Sequence, residues 1–553
     1  MIGLPDIWIS IAYIVLILTI GLWVGVRHRR GTADAGGTAR EYFLAGKTLR
    51  WPAIGLALFA TNISTVHLVS LAQSGFDTGL LNGDFEWMAA LTLILLALFF
   101  VPFYMTSGVS TLPDFLERRY DSASRDWLVG VSLVSAVVIH IAFSMLAGGI
   151  VLRTLFGIDL YTSVIVISLI TAVYTIIGGL KAVVVTESIQ TIVLIVGAFL
   201  ISAASWNRMG GWHAMTAVLH AQGQHNRLSM LRPAGDPSGM PWYAVFLGYP
   251  VLGIWYWCAD QTIVQRVLGA RDEQHARVGP LFCGFIKILP VFIFVLPGLF
   301  AYTLAATGRL DVSSLHGDSK GIYTLMITQL LPSGLVGVLV AALLSGLMGQ
   351  VSGALNSIST LISYDLYKRY RPSATDRQLV RAGRVSALVA LVFSLLLLPL
   401  LNRYESIFNG LNDIIAHIAP PITCVFLLGI FWSGATPRSA KLTLWIGSAL
   451  GVLAYAVGKL CPSSFIGHVP FMMMAFYLFI ICVALQLTFS LALPAPPAPG
   501  SAAPRTTAPA PEPLYWRSPL DPLRRPGWRG LGNYKFLSLA LLLVMTLLFW
   551  LFK

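Results

Sequence analysis

Six ionisable side chains stand within or at the edges of long apolar runs: His67, Glu86, Glu187, Asp260, Lys287 and Asp413. A charged group in the middle of a membrane helix costs roughly 2.5–3.5 kcal/mol, so each of them needs a reason to be there. Glu86 and Lys287 offer a carboxylate and an ammonium, groups that hydrogen-bond hydroxyls or hold a counter-charge; the other reading of Lys287 is a partner for a structural carboxylate. His67 follows the polar and β-branched stretch Ala60-Thr61-Asn62-Ile63-Ser64-Thr65, and competes with a histidine satisfied by a neighbouring carbonyl. Asp260 and Glu187 fall near the ends of their runs, where capping, or pairing with Arg266 and Lys181, competes with a coupling role. Trp255-Tyr256-Trp257 presents flat rings that stack on a ring-shaped solute or simply fill a core. Catalytic signatures are missing: there is no GxSxG, GxxxxGK[ST] or HExxH, and the five cysteines form no CxxC pair. This is not the sequence of an enzyme.

The elements that must position these groups are membrane helices. Of 553 residues, 56% are hydrophobic and 11% charged, against about 25% charged in a soluble domain, and the mean hydropathy is +0.76. A soluble enzyme is excluded. We count about fourteen runs long enough to cross a bilayer, beginning with residues 7–26, which read as a first helix rather than a cleaved signal because no small-residue cleavage site follows. The net charge of +13 is topological: about 27 of the 37 basic residues fall in alternate loops, which predicts an even number of crossings with both termini extracytoplasmic and removes the need for a nucleic-acid partner. The boundaries predicted are a transporter domain over 1–492 (leading helix about 7–26, core about 51–432, trailing helices about 439–492), a Pro/Ala-rich cytoplasmic linker over 493–533, and a final transmembrane helix over 534–553. The outer segment 207–241, with His213, His220 and His225, reads as a loop rather than a lid.

Two runs are poor continuous helices: the second, at residues 60–65, and the seventh, where Gly248, Pro250 and Gly253 precede the aromatic cluster. They are five runs apart, the spacing expected of two five-helix repeats of opposite orientation with binding sites at the breaks. The fold expected is therefore all-α and polytopic, with a five-plus-five inverted-repeat core whose first and sixth helices are discontinuous.

Glu41-Tyr42-Phe43-Leu44-Ala45-Gly46-Lys47, Asn62-Ile63-Ser64 with His67, Phe85-Glu86-Trp87, Gly178-Gly179-Leu180-Lys181 and Thr186-Glu187-Ser188-Ile189-Gln190 resemble the sodium:solute symporter family. Trp255-Tyr256-Trp257-Cys258, Asp260-Gln261, Val264-Gln265-Arg266, Leu355-Asn356-Ser357 and Tyr364-Asp365-Leu366-Tyr367 are similar to its sodium/glucose cotransporter branch. The resemblance runs in order from about residue 7 to about 490. It implies a sugar pocket of Asn62, His67, Glu86, Tyr256, Trp257 and Lys287, with Tyr256 as an aromatic gate, and places Asn412 where the family has a glutamine. It also implies a co-transported sodium ion held by the carbonyls of Ala60, Ile63 and Gly346, with the family's pair of hydroxyls falling on Gly349 and Gln350, and Glu187 near the inner exit. The Gln350 amide oxygen is the substitute ligand expected. Ala89 and Gly253 replace polar pocket residues and leave the solute open.

The function expected is sodium-coupled symport of a sugar or related small polar solute by alternating access, the partners being that solute and the lipid bilayer. The alternatives are a sodium-independent or proton-coupled sugar carrier on the same scaffold, and, from another class, a transporter-like membrane sensor. Neither solute identity, stoichiometry nor oligomeric state is written in the sequence.

Overall fold

In a computed structural model, residues 3–31, 39–236, 238–401, 407–493 and 514–553 are described. Among them the chain is almost wholly helical, and eleven helices are long and apolar enough to cross a membrane. One of these, Leu160–Met209, is two crossings joined at Gly179, whose φ of +65° is open to glycine and strained for other residues. Of the interrupted helices, the second half of the first is merged with the next crossing in Thr65–Ser107 and the second is not among the eleven, so the eleven are compatible with the fourteen runs of the sequence. The leading helix Leu4–Gly31 turns Trp8, Val15, Leu16 and Trp23 outward to lipid. At its start Asp6 accepts from the amides of Gly334 (2.6 Å) and Gly337 (2.8 Å), which pins it to the helix Leu335–Leu361.

The first interruption is built locally. Trp51–Asn62 ends because Ile63 and Ser64 are extended (ψ 106° and 177°), and Thr65–Thr78 restarts with Ser64 as its cap, accepting from the Val66 amide at 3.2 Å. The Ser64 amide donates to His67 Nδ1 (3.2 Å), so a side chain replaces the helical carbonyl. Helix Leu335–Leu361 crosses this break closely: a Cβ on Gly346 would stand 2.9 Å from the Thr65 amide nitrogen.

The second interruption lies later than the Gly248, Pro250, Gly253 cluster suggested. Trp242–Ile254 stays helical through Pro250, widens into a π turn over Trp255–Ala259, and breaks at Asp260 (φ −86°, ψ 125°) before Gln261–Leu268. A proline in a membrane helix need not end it; further along, Tyr104 donates to the Cys258 carbonyl (2.6 Å), which the break at Asp260 leaves without its helical amide, and Thr423 adds a bond to that of Val251 (2.7 Å). Asp260 makes the break by accepting from the amides of Thr262 (2.7 Å) and Ile263 (3.3 Å). The interrupted helices each head one of two consecutive five-helix sets, the core organisation expected of an inverted repeat.

The Pro/Ala-rich stretch divides. Residues 494–513 lie outside the described residues, whereas from Leu514 the chain is seated on the protein. The Trp516 amide donates to the Ile430 carbonyl (2.7 Å), its indole to that of Phe99 (3.1 Å), and Arg525 pairs with Glu273 (2.9 Å). The segment 207–241 also has structure of its own, a helix Trp212–Ala221, with Arg227 and Arg232 donating to the carbonyls of Phe76 (2.6 Å) and Thr78 (2.7 Å). Beyond Tyr534–Leu551, the Phe552 carbonyl accepts from the Met230 amide of that segment (2.8 Å).

Candidate substrate cavity and cation site

Asn62 at the first break, Tyr256 and Trp257 in the widened turn before the second, and Lys287 just past Ile286, where Glu273–Ile286 ends, all line one cavity. His67, Glu86 and Asn412 complete its polar wall, and Phe85, Leu252 and Ile415 lie between them. About 620 Å³ of non-atom space, open solvent included, lies among these residues. The structure thus brings together every side chain that the sequence assigned to a substrate pocket, Asn62, His67, Glu86, Tyr256, Trp257, Lys287 and Asn412.

Its chemistry is that of a charge-balanced polar cup with aromatic walls. The Lys287 ammonium donates to the Glu86 carboxylate and to Asn62 Oδ1; the Lys287 and Glu86 side chains are 1% and 2% exposed. It also lies 5.5 Å from the Trp257 ring and 5.9 Å from that of Phe59, within cation–π reach. Because His67 Nδ1 accepts from the Ser64 amide, its ring proton is on Nε2, leaving the imidazole a neutral donor. Tyr256 and Trp257 meet edge to face at 5.2 Å.

The remaining candidates separate. Asp413, next to Asn412 in sequence, pairs with Lys459 (2.8 Å), since one helical residue turns the side chain by about 100°. Glu187 pairs with Arg266 Nη2 (2.5 Å) and accepts from Thr61 (3.1 Å), which is the pairing alternative. Asp260 caps, as its own alternative held, and also meets His140 Nε2 at 3.3 Å.

On the cation side, no backbone amide of the described residues donates to the carbonyls of Ala60 or Ile63, as a broken helix allows. Gly349 faces Ala60: a Cβ there would stand 3.2 Å from the Ala60 carbonyl oxygen. Gln350, expected as an ion ligand, is engaged elsewhere; its Oε1 accepts from Ser144, its Nε2 donates to His140 Nδ1 at 3.3 Å, and it lines the substrate cavity. A single residue's rotation along the helix separates it from the Gly349 face. His140, Ser144 and Gln190 were missed in the sequence. The rule that flags ions in apolar runs applies equally to His140, whereas Gln190 carries no charge to betray it.

Residues 42–447 match the sodium:solute symporter family model. The chain belongs to the sodium:solute symporter family. Sodium/glucose cotransporter 1 of Ovis aries is 33% identical over 525 residues, covering 88% of this chain and 78% of that protein. Sodium/glucose cotransporter 4 of Danio rerio is 32% identical (81% and 71% covered), and sodium/myo-inositol cotransporter 2 of Mus musculus 31% (81% and 69%). In structure, the substrate-bound outward-open state of a Na+-coupled sialic acid symporter superposes with a TM-score of 0.76 at 21% identity, over 89% of this chain and 99% of that one, which establishes the shared fold. This symporter is therefore a multi-pass membrane transporter coupled to sodium, not an enzyme.

Proposed function

We propose that this symporter uses the sodium gradient to carry a neutral sugar or a related polyhydroxylated solute across the plasma membrane. The observation that carries the proposal is the convergence of Asn62, His67, Glu86, Lys287 and Asn412 on one cavity walled by Tyr256 and Trp257. A sugar presents hydroxyls that donate and accept at once, and the cup supplies both kinds of partner: carboxylate and amide oxygens accept, while the ammonium, the His67 Nε2–H and the amide N–H groups donate. Tyr256, at the mouth of the second break, is the ring that would cover the solute. The relatives named for glucose and myo-inositol support the same class of cargo.

The carbonyls of Ala60, Ile63 and Gly346 would hold sodium where the first interrupted helix meets Leu335–Leu361. Asn62 lies between Ala60 and Ile63, so ordering the break around an ion also orders a substrate ligand. Sodium would thereby favour the state that binds solute, and the coupling is reciprocal. The Glu187–Arg266 pair, one turn from Gly349, would close the ion's inward path. In membrane orientation the basic loops face the cytoplasm, with both termini extracytoplasmic. Residues 1–492 form the transporting unit in this reading, with the final helix as its accessory.

The test is uptake by the purified protein in liposomes, with labelled hexoses, pentoses and acidic sugars, with and without an inward sodium gradient. Sodium-driven accumulation of a neutral sugar is expected. Equilibration that ignores sodium, or accumulation of acidic sugars alone, would overturn the reading.

A further inference from the structure

We infer that Gln190 supplies a side-chain oxygen to the transported sodium ion, in the gap that Gly349 leaves opposite the Ala60 carbonyl. This rests on the sodium-coupled reading and names the ligand that takes over from the hydroxyl missing at residue 349.

Gln190 is 1% exposed, and neither its amide oxygen nor its amide nitrogen has a hydrogen-bond partner among the described residues. A buried amide left so is exceptional and calls for an occupant. The hydroxyls beside it spend their protons elsewhere, Tyr13 on Ser345 Oγ at 2.6 Å and Tyr174 on the Met348 carbonyl at 3.4 Å; their lone pairs face the Gln190 amide nitrogen, which leaves the amide oxygen without a donor. A Cβ on Gly349 would stand 3.1 Å from Gln190 Oε1 and 3.2 Å from the Ala60 carbonyl oxygen, so the two oxygens face one small space from opposite helices. That carbonyl is one the helix break has freed. Neutral oxygens converging beside unwound backbone are what a hard monovalent cation selects.

The neighbouring charges fit this assignment. Glu187, three residues earlier and thus on the same face of its helix, is already neutralised by Arg266, whose guanidinium fills the room above Gly353. With that carboxylate paired, the ligands left facing the gap at the Gln190 level are, among the described residues, neutral oxygens. Gln350 stands on another face of its helix, where its amide oxygen accepts from Ser144 and its amide nitrogen donates to His140 Nδ1.

The experiment is direct binding of radiolabelled sodium to the purified protein, which needs no knowledge of the solute. Gln190→Leu is expected to weaken sodium binding by about tenfold or more, the scale on which metal sites respond to lost partners, and to do so more than Gln350→Leu. Gln190→Ala combined with Gly349→Ser restores a hydroxyl in the vacated space and is expected to recover most of the affinity, which also guards against misfolding of the single variant. Wild-type affinity in Gln190→Leu, or no recovery in a folded double variant, overturns the assignment and leaves sodium coupling standing. Absence of sodium binding by the unaltered protein overturns both.

Discussion

The Glu86–Lys287 pair allows structural and substrate-binding roles to be separated. Both groups are almost fully buried, and removing one partner of such a pair typically costs about 3–5 kcal/mol because the other is left uncompensated, whereas replacing both with apolar groups is often neutral or better. Glu86→Leu and Lys287→Met should each lower the unfolding temperature of the purified protein, and the double variant should regain most of the loss. Solute affinity should behave oppositely. Each charged group that bonds a solute hydroxyl contributes about 1.5–3 kcal/mol, so each single change should raise KM roughly 10–150-fold, and the double variant should be the weakest binder despite its restored stability. Thermal unfolding and uptake kinetics on the four proteins read the two effects independently. Should the double variant regain uptake along with stability, the charges would be a structural pair only and their place in the solute cup would be refuted.

Three further expectations concern the scaffold. Gly353→Ala puts a methyl against the Arg266 guanidinium and within 3.2 Å of Glu187 Oε1; transport should fall, and a cysteine placed at Thr61 should react faster with reagents added from the cytoplasmic side, an unchanged labelling rate counting against an inner closure. Gly179→Ala, at φ +65° and ψ −166° with the Tyr42 carbonyl oxygen 2.6 Å from the new Cβ, should cost about 1–3 kcal/mol for a backbone region open essentially to glycine, seen as a lower melting temperature. Trp516→Ala removes an indole packed 4.4 Å from the Phe103 ring and should destabilise by about 3–5 kcal/mol; a variant that melts like the unaltered protein would show that the C-terminal segment is a passive tether.

Legibility tracked the strength of the local signal. Hydropathy was enough for the crossings, and polar or β-branched residues at 60–65 marked the first break because no helix tolerates them cheaply in lipid. The second break was displaced: Pro250 drew attention, but the discontinuity is made by Asp260, a cap whose effect depends on the amides of Thr262 and Ile263. The shared cavity of His67, Glu86 and Lys287 was legible because charge in apolar runs is rare. Helix faces were harder to read, since rotation by one residue decides them, which turned Gln350 to His140 and, beside Asn412, Asp413 to Lys459. The seating of residues 514–533 was hidden by composition, because a few side chains, Trp516, Arg525 and Trp528, anchor what otherwise reads as tether.

The mutual cancellation of Glu86 and Lys287 has an electrical consequence. With the neutral cargo proposed above, a cup with no net charge would admit the solute without a compensating ion, so each sodium would cross with its charge unbalanced and the cycle would be a current. Voltage alone then suffices as a power source: with equal sodium on both sides, 100 mV supplies about 2.3 kcal/mol per charge, enough for a solute ratio of roughly 50 per sodium moved, and turnover should be readable on an electrode before any label is counted.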